Sequence, residues 1–438
     1  MFFPTPQTVL LLLRLLLLAC LPVLAGCNSI PYARDGELPP RIEVADGSAQ
    51  RTALNAKTYD AAVRHTGRLF YRDTSNFTHI AREQRDSVVA QPDEDSFYIA
   101  LNEVLSTLDD AHSHAVGPDE RATNEKFRLT GDKDSRIGYG FIAAGSGKGE
   151  SVLTVLTDSK ASEAGIVPGW KIMSVDGQPP GMHQKQEGRL AHFLFEDREG
   201  HQHEHDLTAY LSPPVQFRES RYLPGNFLYL HWMRFDDETL QWLRASFAAA
   251  HEEDRPEGVV IDLRGNIGGL AWVASEVYAM LDGDGVFAWS RDGRGQKAIG
   301  PASPSLRYGG SPLLVLVDAA SHSAAELLAA RLQETGRAIL IGETTTGAVV
   351  LSRDINLPDG GKLSIGTQEI LTGDGQVLEG KGVSPYFAAP WTPAAIREGR
   401  DPALEVVAMF AEELVKSGAG RRETENANKK QATDDKDN

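Results

Sequence analysis

Cysteine is almost missing from this 438-residue chain: the two that exist, Cys20 and Cys27, lie within or just after an N-terminal apolar stretch. Beyond residue 27 there is no thiol, so a disulfide framework, a cysteine nucleophile and Cys-ligated zinc are excluded there. Positive charge is also scarce. Lys and Arg number 44 against 61 Asp and Glu, a formal charge of -17 that argues against nucleic acid and anionic membrane surfaces as partners. The rest is ordinary for a folded protein. With 41% hydrophobic and 24% charged residues there is enough apolar material for proper cores. The length allows about two to three domains.

Residues 9–25 are nearly all Leu, Val and Ala, interrupted by Arg14, Cys20 and Pro22, which reads as a targeting segment rather than a spanning helix. The run closes on Leu24-Ala25-Gly26-Cys27, which resembles the bacterial lipobox. That resemblance implies a lipoprotein signal peptide over 1–26 and a lipid-modified Cys27; ordinary secretory cleavage nearby is the alternative. Asn28 stands where an inner-membrane retention aspartate would be, so the expected location is the cell envelope, lipid-anchored in the outer membrane and facing the periplasm.

Residues 27–50 are polar and proline-bearing, a tether. Over 51–125 apolar residues such as Ala61, Leu69, Phe97, Val104 and Leu108 recur at helical spacing, predicting an N-terminal helical region. Residues 126–215 turn β-rich. Over 216–416 strand and helix signals alternate, the pattern of an α/β fold with parallel strands and right-handed crossovers. The last stretch, 417–438, is nearly free of apolar residues and is expected to be disordered.

Chemistry concentrates in the alternating region. Leu313–Val317 is a short, uninterrupted apolar run, the mark of a strand buried on both faces. From Ser323 a helix former's composition runs to Gly336. A serine at that strand-to-helix turn would face outward backbone N–H groups suited to stabilising an oxyanion. The competing reading is a capping box, Ser323-Ala324-Ala325-Glu326, in which the serine is purely structural. A second strand-to-helix turn, Asp262-Leu263-Arg264-Gly265-Asn266-Ile267-Gly268-Gly269, carries glycines that let a backbone amide approach a reacting group. His201, His203 and His205 alternate after Arg198-Glu199-Gly200, a hairpin signal. Exposed hairpin residues are the reading, with weak Zn²⁺ or Ni²⁺ binding as the alternative.

Two resemblances follow from these segments. Gly138-Tyr139-Gly140-Phe141 and the run Ala164-Gly165-Ile166-Val167-Pro168-Gly169 through Val175-Asp176-Gly177 look like a PDZ domain of the bacterial protease-associated type. It implies a groove that takes C-terminal peptides by strand addition, held around Tyr139, Gly140 and Phe141. The order of helical leader, PDZ, Asp-Leu-Arg-x-Asn-x-Gly-Gly turn, Ser-x-Ser-Ala-Ala-Glu elbow and Gly342–Gly347 loop resembles the C-terminal processing peptidases and the tricorn core protease. The resemblance implies a ClpP/crotonase-like core with an inserted PDZ, acting on protein or peptide substrates without a metal or organic cofactor.

By that resemblance Ser323, rather than Ser321, is the nucleophile, with Gly269 (or Gly268) and Ala324 forming the oxyanion hole. The processing peptidases carry a lysine base just after the Gly342–Gly347 loop, where this chain has Ala348, and Lys362 and Lys381 lie in other segments. The tricorn-like branch instead implies His112 as base, with His114 as rival, and Glu379 as orienting acid. Ala111 stands where that branch has a serine, and Tyr386 where the family has an acid. A processing peptidase with an atypical base and a non-catalytic binding protein on the same scaffold are the alternatives.

Overall fold

The computed structural model describes residues 30–33, 38–122, 136–145, 150–178, 180, 186–212, 217–252, 256–281, 283–292, 295–300 and 310–413. Cys27, the apolar leader and the segment 417–438 lie outside the described residues.

Three helices come first, α1 (Ala49–Leu69), α2 (Ser75–Val89) and α3 (Glu94–Ser106). Two start on side-chain caps: Ser48 accepts the Arg51 amide and Asp93 accepts that of Ser96. Their buried faces, with Tyr59, Phe77, Phe97 and Leu101, pack on Ile355, Leu363 and Ile365 from far down the chain. The expected helical region 51–125 also holds a short strand. Strand β1 (His114–Val116) follows, because Ala115 and Val116 are buried in pairing with a later strand. The tether expectation is corrected as well: Tyr32 bridges Ile355, and Ala33 donates to the Asp354 carbonyl at 2.9 Å.

The β-rich segment holds β2 (Arg136–Gly138), β3 (Phe141–Gly145), β4 (Glu150–Val155), helix α4 (Lys160–Ala164), β5 (Lys171–Val175), β6 (Leu190–Glu196), β7 (Gln202–Thr208) and β8 (Tyr210–Ser212). Strands β3 to β7 form an antiparallel sheet in sequence order, and β2 pairs β8. Phe193, Phe195, Ile172 and Trp170 fill this module's core.

Next come β9 (Arg218–Leu223), β10 (Phe227–Trp232), α5 (Asp237–Glu252), β11 (Gly258–Asp262), α6 (Ala271–Met280), β12 (Ala288–Asp292), β13 (Gly295–Ile299) and β14 (Leu313–Val317). After them come α7 (Ala324–Glu334), β15 (Ile339–Gly342), β16 (Val350–Asn356), β17 (Lys362–Thr372), β18 (Phe387–Ala388) and α8 (Pro393–Arg397). One sheet runs β18-β15-β14-β11-β10-β9, parallel except for β9. Its β11 and β14 are buried at every position, as their unbroken apolar runs require. A second, antiparallel sheet runs β1-β17-β12-β13 with β16 on β17. The fold is thus an α/β core in which β17 pairs β1 and so clamps the segment just before it.

Candidate active site

Two turns at the carboxyl ends of β11 and β14 meet. The glycines of the first are needed because the second turn presses on one and the chain after β10 on the other. A Cβ on Gly268 would stand 2.7 Å from the Ser323 Cβ, and one on Gly269 would stand 2.3 Å from the Phe235 carbonyl. Ser323 sits between β14 and α7 at φ 55 and ψ -114, a conformation costing a non-glycine residue about 1–3 kcal/mol. The neighbourhood imposes it. The His322 amide donates to the Asn266 carbonyl at 2.8 Å, and the Ser323 amide to Glu326 Oε2 at 2.9 Å.

Glu326 is fully buried, and its carboxylate collects the loop after β15 as well as the elbow. Oε1 accepts Thr345 Oγ1 at 2.6 Å and the Gly347 amide at 2.7 Å, and Oε2 also accepts the Ala348 amide at 2.9 Å. Burial raises its pKa and these donors oppose that rise. The capping expectation is therefore met on the glutamate side, and the same contact fixes the serine's backbone.

Of the two candidate serines, Ser321 is locked in the interior. Its hydroxyl donates to the Leu263 carbonyl at 2.8 Å and accepts the Asp318 amide at 3.0 Å. Ser323 instead borders two clefts, of about 700 Å³ and about 480 Å³, and His112 borders both with it. His114 does not reach either. It is half-buried in β1 opposite Ser364 with Nδ1 out of solvent, and desolvation pushes its pKa down to about 4. Lys362 is ion-paired with Asp354 at 2.9 Å. Ala348 is buried beside the second cleft with Ser323.

His112 is held by its own backbone, whose amide donates to Asp110 Oδ1 at 2.6 Å, while Nδ1 stands 4.0 Å from the same oxygen with no hydrogen-bond partner. Burial lowers the ring's pKa, His322 lowers it further, and Asp110 and Glu326 pull it back up. A neutral imidazole is what a general base needs near neutral pH. Glu379, the orienting acid the resemblance implies, lies near Asp110 and Glu326. Its carboxylate accepts the Val349 amide at 2.6 Å, and the carboxylate beside the His112 ring is that of Asp110. Burial, with Asp110 and Glu326 nearby, pushes Glu379 up to about 7.

The oxyanion candidates separate on their partners. The Gly268 amide is occupied by Asn266 Oδ1 at 2.8 Å. Among the described residues the Gly269 and Ala324 amides donate to nothing, and both residues line the larger cleft with Ser323. Tyr139 is a core aromatic and Phe141 packs half-buried against it, their rings 4.7 Å and 5.7 Å from that of Phe193. Gly140 takes φ 90 in the turn before β3, and its carbonyl accepts Ser159 Oγ at 3.1 Å. His203 stacks on Trp170 at 4.1 Å and bonds Asp197 at 2.9 Å, within a hairpin whose tip reaches the active end. There Arg198 donates to the Thr345 carbonyl at 2.8 Å.

Sequence reasoning missed Asp110, His322 and Arg234. His322 Nδ1 lies 2.7 Å from the Ala320 carbonyl, to which it donates, leaving Nε2 as the ring's acceptor on the residue next to Ser323. The adjacency to Ser323 was the available signal for His322, and Asp110 was visible two residues before His112.

Residues 226–388 match the model of Peptidase family S41. Similar curated proteins include carboxyl-terminal-processing peptidase 1, chloroplastic, of Arabidopsis thaliana, 23% identical over 333 residues that span 70% of this chain but 65% of that protein. The carboxyl-terminal-processing protease of Synechocystis sp. (strain ATCC 27184 / PCC 6803 / Kazusa) is 25% identical over 319 residues, spanning 69% of this chain and 73% of that one. Among solved structures, a photosystem II D1 C-terminal processing protease shares the fold at a TM-score of 0.56 and 22% identity, over 76% of this chain and 92% of that one. A lipoprotein from Streptococcus agalactiae does so at 0.51 and 11%, over 86% and 98%.

Proposed function

We infer that this chain, which carries a peptidase S41 domain over residues 226–388, is a serine-type peptidase that hydrolyses proteins or peptides with Ser323 as nucleophile and His112 as base. The observation that carries this reading is the shared cleft. Ser323, His112 and the unoccupied Gly269 and Ala324 amides all border one space of about 700 Å³. Ser323 attacks the scissile carbonyl as His112 takes its proton. The two amides receive the oxyanion, His112 returns the proton to the leaving amine, and water then releases the acyl group. Asp110 stabilises the imidazolium from beside the ring. The antiparallel module offers β3, an edge strand, to an extended chain end in the manner of a PDZ groove. With Cys27 lipidated, the substrates are proteins of the cell envelope.

A specific distance favours a second state. Nδ1 of His112 at 4.0 Å from Asp110 is beyond hydrogen-bond reach, so the triad is open and substrate or partner binding closes it. The test is fluorophosphonate labelling of the purified protein and of Ser323→Ala and His112→Ala. Labelling lost in both variants supports the reading. Labelling that survives in Ser323→Ala overturns the nucleophile, and an unreactive wild-type protein points to the open state or to a non-catalytic binding protein.

A further inference from the structure

The larger cleft contains a cation without a partner. Arg234 follows β10 and precedes Phe235, whose amide and carbonyl bond Gly268 O and Leu270 N at 2.8 and 2.9 Å. It is therefore rigidly placed beside the Gly269 amide. Its Nε is buried without a hydrogen-bond acceptor, and among the described residues no carboxylate pairs with it. Two buried arginines elsewhere hold carboxylates: Arg264 holds Asp262 and Asp401, and Arg331, whose Nε also lacks an acceptor, holds Glu334 and Asp374 through its other nitrogens. The cleft as a whole repeats the bias. Arg121, Arg234, Arg353 and Lys362 border it against a single acid, Asp354, which Lys362 already neutralises. Arg234 is half-buried with its Nε desolvated and unmatched, so a ligand carboxylate in the cleft would complete it.

We propose that Arg234 is a substrate-reading residue, binding a carboxylate of the peptide while the scissile bond lies over Ser323. This rests on the peptidase reading and names its substrate class: peptides with a carboxylate near the cleaved bond. The apolar lining from Ile267, Leu270, Trp272 and Leu351 takes neighbouring side chains. The carboxylate is either a free chain end or an Asp or Glu side chain. Both offer the planar pair of oxygens that a guanidinium binds in a fork.

Binding to the Ser323→Ala protein separates this inference from the activity. Fluorescein-labelled nonapeptides of Ala, Leu and Val are compared by anisotropy as the free acid, as the C-terminal amide, and as the amide with one internal Glu. One carboxylate-bearing form is expected to bind on the order of 10- to 100-fold more tightly than the plain amide. Added Arg234→Gln removes that preference and its salt dependence, and Arg234→Lys retains part of both. Preference for the free acid identifies a chain end, and preference for the Glu peptide identifies a side chain. Equal binding of all three peptides, or a preference that survives Arg234→Gln in a folded protein, overturns the proposal. Discrimination by a protein whose wild type does not label with fluorophosphonate supports the subsite and overturns the peptidase reading alone.

Discussion

Replacing Glu326 by Gln tests whether one carboxylate organises the site. The side chain keeps its size, but one oxygen becomes an NH₂ group. Placed at Oε2, that group would face the amides of Ser323 and Ala348, both donors; placed at Oε1, it would face the Gly347 amide and the Thr345 hydroxyl. The second placement is better, since a hydroxyl can turn to accept. It still strands the Gly347 amide and removes the charge from the remaining bonds. A hydrogen bond to a charged group contributes about 1.5–3 kcal/mol, and a stranded buried donor costs about 1–3 kcal/mol. The variant should therefore lose roughly 3–5 kcal/mol of stability. Because the Ser323 amide is one of the four donors, its strained backbone relaxes and fluorophosphonate labelling slows by about 10-fold or more in protein that remains folded. Urea unfolding gives the first quantity and labelling kinetics the second. A loss below about 1 kcal/mol with full reactivity would falsify the organising role.

Two further substitutions have defined outcomes. Asp110→Asn should lower peptide turnover by about 10²-fold or more, and more than Glu379→Gln does, because Asp110 is the carboxylate beside His112. Removing that charge lowers the His112 pKa, so the acidic limb of the pH–rate profile moves to lower pH; an unmoved limb refutes the pairing. Asp318 is buried and pushed up to about 6 by desolvation, from an ordinary carboxylate value of 3.8. An acid whose folded pKa is raised contributes stability below its unfolded pKa that is lost as pH rises through the folded one. Relative to wild type, Asp318→Asn should therefore gain about 2.5 kcal/mol between pH 4 and pH 8, read by urea unfolding at both. A constant difference across that window refutes the burial argument.

The parallel strands were legible because residues buried on both faces leave little sequence choice. Leu313–Val317 is a strand at those very residues, and the helix after Ser323 falls within a residue or two of the composition's limits. The second sheet was not legible. Ala288–Asp292 and Gly295–Ile299 expose much of one face and carry Ser, Arg, Gln and Lys, so neither a continuous apolar run nor a helical period marks them. In the site, Ser323 and His112 had motif positions to identify them. The carboxylate beside His112 depends on how the turn Asp109–Ser113 folds back on itself, with Asp109 at φ 51. Chain spacing does not encode that geometry. Arg234 was equally invisible, because what distinguishes it is the lack of a partner in space.

The clamp of β17 on β1 has a consequence for biosynthesis. His112 leaves the ribosome early, Ser323 much later, and the partner that fixes β1 in register, through His114 opposite Ser364, later still. Chain made only as far as the elbow has a nucleophile, but nothing holds its base in place. On the proposed function, a chain that stops before Ser364 is therefore inactive, because the strand that fixes β1 has not yet been made.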